Sequence, residues 1–155
     1  AITCLPDAVF LHFEIPQKAS LAAAKYANEK HIPLIIDAGP ASADYPLDQL
    51  GQVEIFSPNE TEAFTFTGIH PISPEMCLRA CIKLSALVNT KYIVLKLGSR
   101  GAFLYDGKFY HMIPAVNVPV VDTTAAGDTF IGYFVRGIAD GLPMEKTLKL
   151  VCPLG

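Results

Sequence analysis

Short apolar runs alternate with segments of helical spacing along most of this chain. Four apolar runs have the length and composition of buried strands, at residues 8–13, 32–39, 53–57 and 91–98. Residues 17–31, rich in Ala and Lys, and residues 74–89 predict helices. Apolar strands that alternate with helices are typical of a mainly parallel sheet covered by helices on both faces. The pattern therefore predicts one α/β domain over residues 1–155.

Three further features extend this pattern toward the end of the chain. The sequence GAFLYDGKFYHMI has alternating arms around Asp106-Gly107, which predicts a β-hairpin. Residues 118–122 predict another strand, which runs into a turn of small residues and then a helix that ends near Gly141.

Ligands of such sheets bind outside the carboxyl ends of the strands. Polar or glycine-rich residues follow four predicted strands, at Asp37, 57–62, 96–101 and 122–128.

The amino-acid composition and net charge of the chain argue against several classes of binding partner. The 155 residues are 51% hydrophobic and 17% charged, with a formal net charge of −3. Such a chain builds an apolar core and offers no basic block for nucleic acid or an anionic membrane. No apolar run approaches a membrane span, and no signal-peptide pattern opens the chain. We therefore expect a cytoplasmic globular protein. The chain begins with Ala and stops within a helical pattern, so both ends look cut from something longer.

The cysteines and histidines show no spacing typical of a metal cage. Cys77, Cys81, Leu84 and Val88 instead follow helical spacing, which predicts a buried helix face. We therefore do not expect a metal held by Cys and His side chains.

The stretch DTTAAGDTF brings two acids, Asp122 and Asp128, close together around small residues. A strand, a turn and a helix here would place the backbone N–H groups of Ala125, Ala126, Gly127 and Asp128 at a helix N-terminus, where they favour an anion. Asp128 could then accept a proton from a hydroxyl that attacks phosphorus. The structural alternative is that Asp122 caps a turn and Asp128 interacts with the helix dipole. No Walker motif GxxxxGK[ST] is present.

Two other turns carry candidate chemistry. Asn59 and Glu62 have the spacing of a capping box, which is a sufficient explanation by itself. The functional interpretation has Glu62 organising Mg²⁺-bound water and Asn59 contacting phosphates, and the two interpretations are compatible. Gly98 and Gly101 bracket a turn against which a nucleotide could lie, although a plain turn is the default for this pattern.

Together these stretches resemble the ribokinase-like (PfkB) family of carbohydrate and purine kinases. DTTAAGDTFIGYF is similar to the family's carboxy-terminal signature, SPNETEAFTFTGI to its NxxE region, and VLKLGSRGAFLYDG to its nucleotide-binding turn. FLHFEIP and IIDAGPA resemble the ribokinase branch in order and spacing. The resemblance covers essentially the whole chain. Tyr133 departs from the family pattern, which prefers a small residue after Gly132, and we expect this to affect helix packing.

The resemblance implies ATP-dependent phosphorylation of a sugar hydroxyl, with ribose the expected substrate. It implies that Asp128 is the catalytic base and that the N–H groups of 125–128 form the anion hole. Asn59 and Glu62 would serve the ATP phosphates and Mg²⁺. The residues implied to line the nucleotide are Lys96, Gly98, Ser99, Arg100, Gly101 and Gly127.

The resemblance also implies a site for a monovalent cation, K⁺ in particular, half of which would be formed by Asp122 and the carbonyl of Thr124. Glu14 matches a position that contacts the sugar in ribokinases. Its structural alternative is an exposed acid at a strand end.

Family members are longer than this chain and carry segments that have no counterpart here: an amino-terminal sugar-binding loop, a small β-sheet lid and a carboxy-terminal segment. We therefore expect the 155 residues alone to phosphorylate sugar poorly or not at all. Members of the family often pair through the lid, and whether the parent protein forms a homodimer stays open. Fructose, 2-keto-3-deoxygluconate and a nucleoside stay open as substrates. A non-catalytic nucleotide-binding domain and a purely structural α/β domain are the alternatives from other classes.

Overall fold

The computed structural model describes residues 4–115, 136–137, 140–143 and 146–147 of the chain. The strand predicted at 118–122, the turn at 122–128 and the start of the helix after it lie outside these residues.

Six strands in the described part of the chain form one sheet, in the order β1-β2-β3-β4-β5-β6. The strands are β1 Val9–His12, β2 Leu34–Asp37, β3 Val53–Ser57, β4 Thr90–Lys96, β5 Ala102–Tyr105 and β6 Tyr110–Ile113. The strands β1 to β4 are parallel, and β5 and β6 form the antiparallel hairpin that was predicted around Asp106-Gly107. The predicted mainly parallel α/β architecture is confirmed.

The described helices connect the parallel strands. They are α1 Gln17–Glu29, between β1 and β2, and α2 Glu60–Thr67 and α3 Pro74–Leu87, both between β3 and β4. A 3₁₀ turn, Leu47–Leu50, lies before β3 and was not predicted, although both of its leucines are buried. None of the described helices combines the length and apolarity that crossing a bilayer requires.

The core lies between the helices and the sheet. Buried side chains of α1 and α3 share one apolar cluster with alternate residues of the strands, and its members include Ala24, Ala27, Cys77, Cys81, Leu84, Leu11, Ile36, Phe56, Leu95 and Phe103. The intervening strand residues Ile35, Ile55, Val94 and Leu104 are buried as well. Because successive side chains of a strand point to opposite faces, both faces of the sheet are covered. Val88 completes the buried helix face that was predicted with Cys77, Cys81 and Leu84.

Candidate active site

A cleft of about 430 Å³ opens at the carboxyl edge of the parallel strands. Its described lining residues are Phe10, His12, Glu14, Asp37, Gly39, Pro40, Glu62 and Lys96. Three of the residues predicted for the site, Glu14, Glu62 and Lys96, therefore meet in one place. A second cleft of about 420 Å³, which includes Asn28 and Lys91, lies at the opposite edge of the sheet and contains none of the predicted residues. Because the first cleft contains the predicted residues Glu14, Glu62 and Lys96, it is the candidate site.

An ion pair crosses the floor of this cleft. The ammonium Nζ of Lys96, at the end of β4, lies 2.8 Å from both carboxylate oxygens of Asp37, at the end of β2. The two side chains are 17% and 14% exposed. The sequence marked Asp37 as a polar residue after a buried strand, but it gave this residue no partner. Lys96, predicted to line the nucleotide, therefore has its charge compensated within the protein.

The predicted capping box of Asn59 and Glu62 is confirmed at the start of α2. The Glu62 N–H donates to Oδ1 of Asn59 at 2.8 Å, and the Asn59 N–H donates to Oε2 of Glu62 at 2.7 Å. The Asn59 side-chain amide donates to Oε1 of Glu62 at 2.9 Å. Each carboxylate oxygen has two lone pairs, so Glu62 keeps acceptor capacity toward the cleft.

Burial raises the pKa of the Glu62 carboxyl above its ordinary value. The N–H of Asn59 and the ammonium of Lys96 act in the opposite direction, whereas the negative charge of Asp37 adds to the rise in this pKa. The net effect on this pKa is a rise, so burial outweighs the hydrogen bond and the nearby cation that favour the ionised carboxylate.

Gly39 lets the loop after β2 approach Glu62 closely. A Cβ atom at this position would lie 2.4 Å from Oε1 of Glu62. The Gly39 N–H donates to Oδ1 of Asp37 at 3.3 Å, and its carbonyl accepts from the Phe13 N–H at 2.8 Å. Sequence reasoning missed this glycine, and the available signal was its place directly after a buried strand.

The predicted glycine turn after β4 is present as the 3₁₀ turn Gly98–Arg100. Gly98 and Gly101 have φ angles of 55° and 88°, in the left-handed region that favours glycine. Ser99 is exposed on this turn. The Arg100 guanidinium donates to the carboxylate of Glu60 and, at 2.7 Å, to the carbonyl of Pro71. Arg100 thus ties the turn to the beginning of α2, which carries the capping box.

The end of β1 supplies the outer wall of the cleft. His12 pairs with Asp37 in the sheet register, and its Nδ1 lies 3.6 Å from Oε2 of Glu14. The Glu14 side chain is 74% exposed, so its carboxylate is open to a ligand. His12 was not predicted for the site, because four scattered histidines give no signal until the strands are aligned.

The remaining predicted site residues lie outside the described residues: Asp122, Thr124, Ala125, Ala126, Gly127 and Asp128. The departure from the family pattern at Tyr133 lies outside them as well.

The sequence profile of the pfkB family carbohydrate kinases matches residues 8–155. The chain belongs to this family. Among curated pfkB relatives, a ribokinase of Lactococcus lactis is 33% identical over 142 residues, which are 92% of this chain and 44% of that protein. A ribokinase of Arabidopsis thaliana is 35% identical over 145 residues, 91% of this chain and 38% of that protein. The chain therefore spans less than half the length of these relatives.

Solved structures agree with this membership of the pfkB family. The structure of Arabidopsis thaliana ribokinase complexed with ribose and ATP matches with a TM-score of 0.87 and 32% identity, over 94% of this chain and 47% of that one. The Escherichia coli phosphofructokinase-2 in complex with fructose-6-phosphate matches with a TM-score of 0.72 and 21% identity, over 92% of this chain and 46% of that one. The latter likeness shows the fold alone.

Proposed function

We propose that this protein is an ATP-dependent sugar kinase, with ribose as the first candidate acceptor. The observation that carries the proposal is the meeting of Glu14, Glu62 and Lys96 in one cleft at the carboxyl edge of the sheet. The chain's membership of the pfkB family and its similarity to ribokinases support the same reaction.

We assign one part of the cleft to the sugar and another part to the nucleotide. At the outer wall, the exposed carboxylate of Glu14 is suited to accept hydrogen bonds from sugar hydroxyls. At the inner end, Glu62 lines the cleft, and its capping partner Asn59 is bridged to Lys96, which shortly precedes the glycine turn against which the nucleotide would lie. When bound there, ATP supplies the phosphoryl group. Lys96 lines the same cleft and is paired with Asp37.

The residues present fit a magnesium ion that is held through water. Among the described residues, no three His, Cys, Asp or Glu side chains are grouped to bind a metal directly. Glu62 nevertheless retains free lone pairs, because each of its oxygens accepts one hydrogen bond from Asn59. Its carboxylate would orient the water bound to Mg²⁺, whose charge offsets that of the phosphates.

The chemical step itself is assigned to residues outside the described part. We infer from the motif and the family that the carboxylate of Asp128 accepts the proton of the attacking sugar hydroxyl. The N–H groups of 125–128 would hold the negative charge of the transferred group. Asp122 and the carbonyl of Thr124 would bind K⁺ beside them.

The test is the conversion of ATP to ADP across a panel of sugars by the full natural protein that carries this sequence. We expect turnover with ribose or one close analogue, and its loss in Asp128→Asn, which removes the base but keeps the shape of the side chain. Residues 1–155 alone are expected to give little or no turnover. Undiminished turnover in Asp128→Asn would refute the assigned base, and no turnover with any sugar would refute the kinase proposal.

A further inference from the structure

We propose that the cleft selects uncharged sugars and rejects anionic acceptors, and that Asp37 is the residue that determines this selectivity. The inference rests on the proposed function for one point, the identity of the cleft as the acceptor site. It goes beyond that function because a solved protein of the same fold, Escherichia coli phosphofructokinase-2, is in complex with a phosphorylated sugar, fructose-6-phosphate.

The balance of charge in the cleft carries the inference. Its described lining residues include the carboxylates of Glu14, Asp37 and Glu62, and Lys96 is the one residue among them with an ammonium or guanidinium group. A phosphate or carboxylate on the acceptor would therefore enter against an excess of negative charge, whereas a neutral hydroxyl meets no such barrier.

Lys96 cannot offset this excess, because Asp37 already uses its charge. Both carboxylate oxygens lie 2.8 Å from the ammonium, and both side chains are largely shielded from water. Charge-assisted hydrogen bonds at this distance and burial are among the stronger polar contacts in proteins. An anionic acceptor would have to compete with Asp37 for the cation. The phosphates of the nucleotide are a different case, since Mg²⁺ accompanies them in the proposed function.

Glu14 adds a preference for ligands with hydroxyl groups. Its carboxylate is exposed in the same cleft and is not hydrogen-bonded to the Lys96 ammonium, so it can accept hydrogen bonds from hydroxyl groups. An acceptor phosphate or carboxylate offers it no proton at neutral pH and repels it. The same wall of the cleft therefore favours a polyol and disfavours an acid.

The substitution Asp37→Asn removes the negative charge of this side chain and nearly keeps its shape. Asparagine has nearly the same size as aspartate and can still accept the Gly39 N–H bond, but it removes the carboxylate that is hydrogen-bonded to the Lys96 ammonium. An unpaired cation in this shielded position attracts an anion strongly, so we expect anionic acceptors to bind at least about tenfold more tightly than they bind the unsubstituted protein. The affinity for neutral sugars should change by less than about threefold.

The experiment is calorimetric titration of the full natural protein with D-ribose and D-fructose as neutral ligands, and with D-ribonate and 2-keto-3-deoxygluconate as anions. Ionic strength is held constant, because screening alters charge effects. The variants are Asp37→Asn and the double variant Asp37→Asn with Lys96→Met. The matched control is Glu54→Gln, which breaks the Lys91–Glu54 ion pair of 3.0 Å at the opposite edge of the sheet.

We expect a neutral sugar to bind the unsubstituted protein, both anions to bind at least about tenfold more weakly, and Asp37→Asn to gain affinity for the anions. This gain should vanish in the double variant, and Glu54→Gln should behave as the unsubstituted protein. An anion that binds the unsubstituted protein as tightly as the neutral sugars, or a folded Asp37→Asn variant without the gain, would overturn the inference. If Asp37→Asn does not fold, the comparison in the unsubstituted protein decides alone.

Sugar-dependent ADP formation, measured in parallel, distinguishes a failure of the kinase proposal from a failure of the selectivity proposal. Binding of a neutral sugar without turnover would refute the kinase function and leave the charge selectivity standing. Turnover of an anionic acceptor at the rate of the neutral sugars would refute the selectivity and support the kinase. A protein that binds none of the neutral sugars would refute the selectivity.

Discussion

A Cβ atom on Gly39 would lie 2.4 Å from Oε1 of Glu62, so the loop after β2 and the first turn of α2 meet with no room for a side chain. The Glu62 carboxylate cannot withdraw freely, because both of its oxygens accept hydrogen bonds from Asn59. The position of the proposed magnesium-organising carboxylate therefore depends on a glycine from another part of the sheet.

Gly39→Ala should displace Glu62 and weaken the use of nucleotide. We expect the KM for MgATP to rise in the full natural protein, with a loss of about 1–3 kcal/mol in the free energy of unfolding from overpacking. The control is Gly68→Ala at the far end of α2, where φ is +71° and no atom lies within 4 Å of the added Cβ. It should lose about 1 kcal/mol of stability and keep the KM. Equal KM values in the two variants would contradict the role of Gly39.

Asn59→Ala should remove the side-chain cap of α2 and one of the two hydrogen bonds that orient Glu62, the bond from the side-chain amide to Oε1, while the backbone N–H bond to Oε2 is kept. We expect a loss of about 0.5–2 kcal/mol in stability, as for other N-caps, together with a raised KM for MgATP. Ser73→Ala is the matched control, because Ser73 caps α3 through the Met76 N–H and does not line the cleft. If Ser73→Ala raised the KM as much as Asn59→Ala, the effect would come from general destabilisation rather than from Glu62.

The parts of the site that follow from local sequence could be predicted, and the pairings between distant segments could not. The capping box lies within four residues, Asn59 to Glu62, and its geometry follows from that spacing. Asp37 and Lys96 are 59 positions apart, and each is by itself only a polar residue after an apolar strand. Their contact depends on strand order and register, which place β2 and β4 on either side of β3.

The same contrast holds for the fold. The apolar runs and the Asp106-Gly107 turn predicted four parallel strands and a hairpin, because buried strands and tight turns have local signatures. The 3₁₀ turn Leu47–Leu50 has no such local signature, because its two buried leucines fit several hydrophobic patterns equally well. His12 likewise joins the site only because β1 lies beside β2 and brings it opposite Asp37.

Gly101→Ala should be the most destabilising glycine substitution in the turn after β4. Its φ is +88°, and an added Cβ would lie 1.9 Å from the carbonyl oxygen of Ile113, which belongs to the backbone and cannot rotate away. We expect a loss above about 3 kcal/mol, or no folded protein. Gly107→Ala has a similar φ of +92° with open space, so it should lose only about 1–2 kcal/mol. Denaturant unfolding measures both, and equal losses would contradict the steric argument.

The stability of the protein should depend on the ionisation of Glu62. Burial raises the pKa of this carboxyl, so the folded state binds its proton more tightly than the unfolded chain does. The resulting loss of stability is absent well below pH 4.5, the ordinary pKa of this carboxyl, and is complete above the raised folded pKa.

The measurement is the free energy of unfolding of the unsubstituted protein minus that of Glu62→Gln, followed as a function of pH. Because glutamine stays neutral and keeps a capping side chain, this difference should fall as the pH rises from below 4.5 through the raised pKa, and then level off. A difference that increased with pH over this range would show that the hydrogen bonds from Asn59 outweigh burial.

The most direct test of the proposed kinase function is ³¹P NMR of the full natural protein mixed with ATP, Mg²⁺ and ribose. We predict that a sugar phosphomonoester signal grows in step with that of ADP, and that neither signal grows when ribose is left out. ATP that stays unchanged, or that yields only ADP and inorganic phosphate, would contradict transfer to a sugar hydroxyl.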